Sequence, residues 1–279
     1  MSFTDTPEPI TGWRRWGAYV ALVVVFAIVC GLLSWWQWAR QDEAMARIEL
    51  VERNYDAPVS PVEELLPQLD EWDPQAEWHP VTMTGTYLEG DQLLVRNRVH
   101  SGKPGFHQLV PLQLADGRVF IIDRGWLPIG SAQDLPDVIP AVPEGEVTVE
   151  ARLRPAEPHL PGRTAEQGQI PSIDVPTVID GLGIDGWTGA YGALSSETPA
   201  VAPMPAQAAK PDADPGPHAS YALQWIAFGI LAFIGLVWAW RREIRIAALP
   251  REEQAAARAP KRQHDDADAE DAILDAHGR

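Results

Sequence analysis

Two apolar runs of membrane-spanning length enclose a middle segment of about 180 residues, and that segment breaks into short alternating stretches separated by tight turns. These observations predict a membrane α+β protein: two transmembrane helices flanking a β-rich domain, built as an antiparallel sheet or a partly closed barrel. The expected boundaries are a tail at 1–15, a first membrane helix at 16–36, and a β-rich domain at 37–217 that ends in a proline-rich linker at 199–217. A second membrane helix follows at 218–240, then an acidic tail at 241–279.

The first run, Trp16–Trp36, follows Arg14 and Arg15. It exceeds the apolar core of a secretory signal, and it leaves through Trp35, Trp36 and Trp38 with no small-x-small cleavage pattern, so it reads as a retained anchor. The second run, Tyr221–Trp240, carries no formal charge and is stopped by Arg241 and Arg242. About 20 helical residues span about 30 Å, the hydrocarbon thickness of a bilayer. Lys and Arg lie before the first run and after the second, which places both termini in the cytoplasm and the middle segment on the other face. Between Gln37 and Pro217 there are 12 Lys and Arg against 28 Asp and Glu, so nearly all of the net charge of −17 faces outward. That acidity argues against nucleic acid as a partner. The lone cysteine, Cys30, lies in the first run, which excludes an intrachain disulfide, thiolate zinc sites and covalent haem attachment through CxxCH.

Arg40–Arg53 is rich in helix formers and reads as a helical stalk; Pro58, Pro61 and Pro67 end it. Strands are expected at Val81–Tyr87, Gln92–Val99, Phe106–Leu114, Arg118–Leu127 and Val147–Arg154, each set off by a Gly-containing turn or a Pro/Gly-rich connection. A short helix is expected at Pro176–Leu182 and a last strand over Trp187–Glu197. The linker, with its six prolines, should be solvated and fairly extended. The tail beyond Arg245 is acidic and Ala-rich, and reads as disordered with a helical turn at Arg251–Arg258.

Several side chains stand out. Gln37 and Arg40 leave the first helix among tryptophans, as an interfacial girdle or as a polar docking point for the second helix or a partner. Arg96 and Arg98 share one side of a regular strand, either solvated or bound to carboxylates or propionates. His107 alternates with apolar residues and fits a surface or hydrogen-bonded histidine better than a ligand. Asp123, Arg124, Gly125 and Trp126 mark a structural bend in which Arg124 could meet a carboxylate. His218 opens the second helix, with Tyr221 and Trp225 on its face at i+3 and i+7. It is either a polar anchor or a haem axial ligand against an aromatic wall.

The motifs Trp36-Gln37-x-x-Arg40, Leu94-Val95-Arg96-Asn97-Arg98 and Gly102-x-Pro104-Gly105-Phe106-His107 occur in that order. They continue with Pro111-Leu112, Asp116-Gly117-Arg118, Asp123-Arg124-Gly125-Trp126-x-Pro128 and His218-x-x-Tyr221-Ala222-x-Gln224-Trp225. With this ordered set the chain resembles the Surfeit locus protein family of cytochrome c oxidase assembly factors. The proline-rich linker and the long acidic tail depart from the family pattern without touching the motifs. The resemblance implies a non-enzymatic biogenesis factor that binds haem a and assists its insertion into cytochrome c oxidase subunit I. It implies His218 as the ligand of the haem iron and haem a synthase as a further partner; the family includes mitochondrial members, and the short acidic-containing opening, unlike an Arg/Ser-rich transit peptide, points to a bacterial plasma membrane as the setting. Tyr221, Trp225, Gln37, Arg40, Arg96, Arg98 and Arg124 complete the expected haem or docking residues. A scaffold that contacts subunit I or haem synthase without holding haem, and an extracytoplasmic ligand sensor, are the alternatives. Copper delivery is disfavoured, because Cys30 is the only thiol and no Met/His cluster appears.

Overall fold

The computed structural model describes residues 12–131, 134–162, 168–250 and 253. It divides the chain into a membrane-type unit, 1–42 with 216–279, and a β unit, 43–215. The helices are α1 (Gly12–Asn54), α2 (Val62–Leu65), α3 (Val175–Leu182) and α4 (His218–Ala247). The strands are β1 (Ser60–Pro61), β2 (Pro80–Tyr87), β3 (Leu93–His100), β4 (Lys103–Leu114), β5 (Val119–Pro128), β6 (Glu146–Pro155), β7 (Gln169–Ile170) and β8 (Ala190–Thr198).

The first membrane run and the predicted stalk form one helix, since no Gly or Pro interrupts the sequence between Gly31 and Asn54. Both α1 and α4 are long and apolar enough to cross a membrane. They pair in antiparallel order. Arg15 binds Glu243 at 3.1 Å, Cys30 faces Gly229, and Gln37 meets His218 at 3.0 Å. Cys30, Ser34, Ala222 and Gly229 are buried, small residues of the kind that bring membrane helices close. Helix α4 runs past Trp240 through Arg241, Arg242 and Arg245 to Ala247, so the tail begins later than expected. Residues 251–252 and 254–279, with most of the turn expected at Arg251–Arg258, lie outside the described residues.

In the β unit, strands β2, β6, β8, β5 and β4 pair in sequence, and β4 returns to β2 to close a five-stranded barrel. All of these pairings are antiparallel except β5 with β8. Strand β3 extends the sheet from β4, β7 lies parallel to β3, and β1 lies parallel to β2. The period-2 pattern of β6 works as the sequence suggests: Val147, Val149, Ala151 and Leu153 point into the barrel. Phe120 and Ile122 of β5 join them inside, while Val119 and Ile121 pack outside against α3. Strand β5 is therefore apolar on both faces, because a helix covers its outer side. Asp174 caps α3 by accepting from Thr177 N–H at 3.3 Å, and Gly183 ends it at φ +67°.

The end of α1 and the linker are both fastened to the barrel. Asn54 donates to the carbonyls of Gln75 and Glu77, and the Arg152 guanidinium lies 3.7 Å from the Tyr55 ring centre. Lys210 binds Asp56 at 2.6 Å. The linker is not simply solvated. Ala206 exchanges main-chain hydrogen bonds with Trp126, at 2.8 and 2.9 Å, and Pro205 is buried. Gly125, at φ +128°, permits this docking, since a Cβ there would lie 2.6 Å from Ala206 O.

Barrel closure depends on Gly85, where a Cβ would lie 2.3 Å from Gln113 O across the β2–β4 seam. Gly85→Ala is expected to destabilise the full chain in detergent by about 3 kcal/mol, the upper range for overpacking. Gly90→Ala, in open space, should cost little. Denaturant unfolding followed by near-UV circular dichroism measures both; equal stabilities would show that the seam tolerates a methyl group.

Candidate functional site

The membrane-type unit brings His218 and Gln37 together. Gly216, at φ +76°, turns the chain, Pro217 sits at the N-cap, and His218 is the first residue of α4. Its Nδ1 lies 3.0 Å from Gln37 Oε1. An amide oxygen only accepts, so Nδ1–H donates and Nε2 retains its lone pair in the neutral ring. A Cβ added at Gly216 would lie 3.7 Å from that Nε2, so the glycine keeps a side chain away from it. Tyr221 is exposed and Trp225 half-buried on the same face, and the Trp225 ring meets Phe228 edge-on at 5.8 Å. Arg40 lies over Trp36, 5.9 Å from the ring centre.

The other predicted residues belong to the β unit and fall into separate settings. Arg96 and Arg98 do not share a face. An extra residue bulges β3 between Val95 and Arg98, with Asn97 at φ +58°, so Arg98 returns to the side of Val95 while Arg96 stays on the side of Leu94. Arg98 holds Glu157 through two hydrogen bonds of 2.8 and 2.5 Å. Burial opposes both charges, but each wins from the other. Hydrogen bonding to Arg98 and to Ile173 N–H draws the Glu157 carboxyl below its usual range, and Glu157 raises Arg98.

Arg124 is fully buried inside the barrel. Its Nη2 and Nε meet the two oxygens of Glu197 at 2.5 and 3.3 Å, and Nη1 donates to Gln108 Oε1 and to Ala141 O. Tyr87 donates to Glu197 at 3.0 Å; burial, then the Glu197 charge, pushes its phenol upward. A bulge at Ser195 in β8 aims Glu197 inward, where unbroken alternation after Leu194 would have turned it out. Arg124 is thus a satisfied core cation and has no free edge for a propionate.

Sequence reasoning missed Glu197, Tyr87, Gln108 and Glu157 as partners. The available signal was charge balance: an Arg or Glu between apolar strand positions requires an opposite charge once buried. It also passed over the pairing of His107 Nδ1 with Asp123 Oδ2 at 2.6 Å. Among the described residues, no group of three or more His, Cys, Asp and Glu is placed to hold a metal ion.

The SURF1 family profile matches residues 24–230, a span that contains all of these site residues. The chain belongs to the SURF1 family. It is 35% identical over 235 residues, 82% of this chain and 85% of theirs, to SURF1-like proteins of Mycobacterium bovis and Mycobacterium tuberculosis that are named as uncharacterized. It is 24% identical over 109 residues to a SURF1-like protein of Rickettsia felis, covering 38% of this chain and 45% of that one. SURF1 proteins are known as cytochrome oxidase assembly factors, not as a catalytic family. The SURF1 motifs of this chain therefore divide by role: the Arg98 and Arg124 motifs build the barrel, and the Gln37 and His218 motifs meet at the helix pair.

Two outcomes follow. Arg124→Met alone should cost about 3–5 kcal/mol by leaving Glu197 unpaired, whereas Arg124→Met with Glu197→Leu should be closer to wild type. A denaturation double-mutant cycle reads the coupling, and additive losses would show that the two do not act as a pair. For Glu157, a folded pKa below the ordinary 4.5 means that its contribution is complete above that value and is lost as pH falls through the folded value. The stability gap between wild type and Glu157→Gln should therefore be widest near neutrality and close on acidification to about pH 3. Unfolding curves across that range measure it, and a gap constant with pH would contradict it.

Proposed function

We propose that this SURF1 protein binds haem a through His218 and assists its insertion into cytochrome c oxidase subunit I. The observation that carries this reading is the His218–Gln37 hydrogen bond, in which Nδ1–H donates and which leaves Nε2 with its lone pair at the start of α4. A metal-ligating histidine commonly has its second nitrogen held by a neighbour. The residues fit the cargo: an imidazole for iron, no side chain at Gly216, and the aromatic Tyr221 and Trp225 for an apolar macrocycle. A single imidazole with one orienting amide suits a carrier that must release what it holds. Arg98 and Arg124 drop out of the haem-binding set, because both are committed to carboxylates.

The charge pattern supports a topology with both termini cytoplasmic and the barrel outside a bacterial plasma membrane. Subunit I would then be met at the outer side of the bilayer, with haem a synthase as the source of the cargo.

Full-length protein purified from cells that make haem a should carry a Soret band, lost in His218→Ala and weakened in Gln37→Ala. Wild-type protein without the band would favour a scaffold that holds no haem, and a band unchanged in His218→Ala would move the ligand elsewhere. In the same cells, an alkaline phosphatase fused after Pro260 should be inactive; activity would reverse the topology.

A further inference from the structure

The outer face of the barrel carries a cavity that the reading of α4 does not use. It measures about 230 Å³ and is lined by His100, His107, Asp123, Trp126 and Leu194, with the linker residues Ala206–Ala209 along one side. The bulge at Arg124–Gly125 in β5 makes it. Arg124 points inward by ordinary alternation after Phe120 and Ile122; the extra residue then returns Trp126 to the outer side, opposite His107 and on the face of Asp123.

Asp123 is nearly buried, with a side chain 7% exposed, and its two oxygens are divided. One accepts Gly125 N–H at 3.1 Å; the other faces His107 Nδ1 at 2.6 Å. The carboxylate accepts, so Nδ1–H donates; in the neutral tautomer this leaves the lone pair at Nε2. The Trp126 and Gln207 donors are already spent. Trp126 gives its main-chain N–H to Ala206 O at 2.8 Å and its indole N–H to Arg98 O at 3.0 Å. The Gln207 amide donates to the carbonyls of Arg124 and Pro205, at 2.9 and 3.2 Å. With these donors spent, and with a carboxylate beside it, the cavity is a poor host for an organic acid or a phosphate. It suits a neutral molecule that brings a donor of its own.

Its walls set the rest of the ligand. The His100 and Trp126 rings stack at 5.2 Å and 27°, and Leu194 and the alanines are apolar. The volume lies below the ~300–1,000 Å³ of pockets for drug-sized ligands, so it takes a single ring and not a macrocycle. We propose that this cavity binds a small neutral hydroxyaromatic molecule, its ring against the His100–Trp126 wall and its O–H donating to His107 Nε2.

The test uses the full chain in detergent, labelled with ¹⁵N-histidine, with 4-fluorophenol as the probe. 4-Fluoroanisole, which has the ring without the O–H, is the control for partitioning into micelles. A saturable shift of the His107 ring nitrogen is expected with 4-fluorophenol, and binding about 10-fold weaker or worse with 4-fluoroanisole, since the oriented acceptor is then left unpaired. His107→Gln should abolish saturable binding as read from the ¹⁹F signal. Ala208→Phe, an exposed linker position at the cavity, should weaken binding without touching the core. His218→Ala should leave binding unchanged, which keeps this site separate from the haem reading. No saturable shift, equal affinity for the two probes, undiminished binding in Ala208→Phe, or loss of binding in His218→Ala would overturn the proposal.

Discussion

The stretch Asp123–Trp126 of β5, with its one extra residue, serves both faces of the barrel. At Arg124–Gly125 the strand carries two residues opposite Gln108. Inward, alternation after Phe120 and Ile122 gives the barrel a buried cation, Arg124, that must be neutralised, and Glu197, Tyr87 and Gln108 surround it. Outward, Asp123 follows Val119 and Ile121 and meets His107, and the extra residue sets Trp126 beside them. Gly125 itself leaves room for Ala206 and so for the linker. A buried ion pair is weak evidence for stability, but a buried charge without its partner is costly. The Arg124–Glu197 pair therefore locks the registers of β5 and β8 relative to each other: a slip in either strand would leave an unpaired charge inside an apolar barrel.

The helix pair follows a different logic. Its interface is made of Cys30, Ser34, Ala222 and Gly229, which contribute close approach and few specific bonds. Polar contacts occur towards its ends, Arg15–Glu243 at one and Gln37–His218 at the other. In an apolar medium such contacts fix register and rotation, which packing of small residues leaves loose. The Gln37–His218 bond does this while committing only one nitrogen of the ring.

Much of this was legible in the sequence, and the parts that were not share a cause. The two apolar helices, the main strands and the short helix α3 follow from periodicity and local chemistry, and Val147–Leu153 reads directly onto the barrel interior. The faces of Arg98 and Glu197 were not legible, because each follows a bulge that resets a period-2 count without altering composition. Asn97, a residue that tolerates positive φ, was the one local hint in β3. Barrel closure through Gly85 and docking of the linker at Ala206 are long-range contacts, and nothing in either segment alone announces its partner. The meeting of Gln37 with His218 was within reach, because both lie at matching ends of the two apolar runs.

The acidity of the β unit bears on what holds it together. Over residues 37–217, 12 cations are outnumbered by 28 carboxylates. The ion pairs of Arg98, Arg118, Arg154 and Lys210 each consume a cation without changing that surplus. Exposed pairs contribute about 0–1 kcal/mol each, and a net charge of one sign opposes compaction. Burying one Val, Leu, Ile or Phe contributes about 1.5–3 kcal/mol. With Val81, Val110, Leu112, Phe120, Ile122, Val147, Val149 and Leu153 all fully buried in the barrel, apolar packing outweighs the charge surplus. The barrel can therefore present an acidic exterior without depending on it.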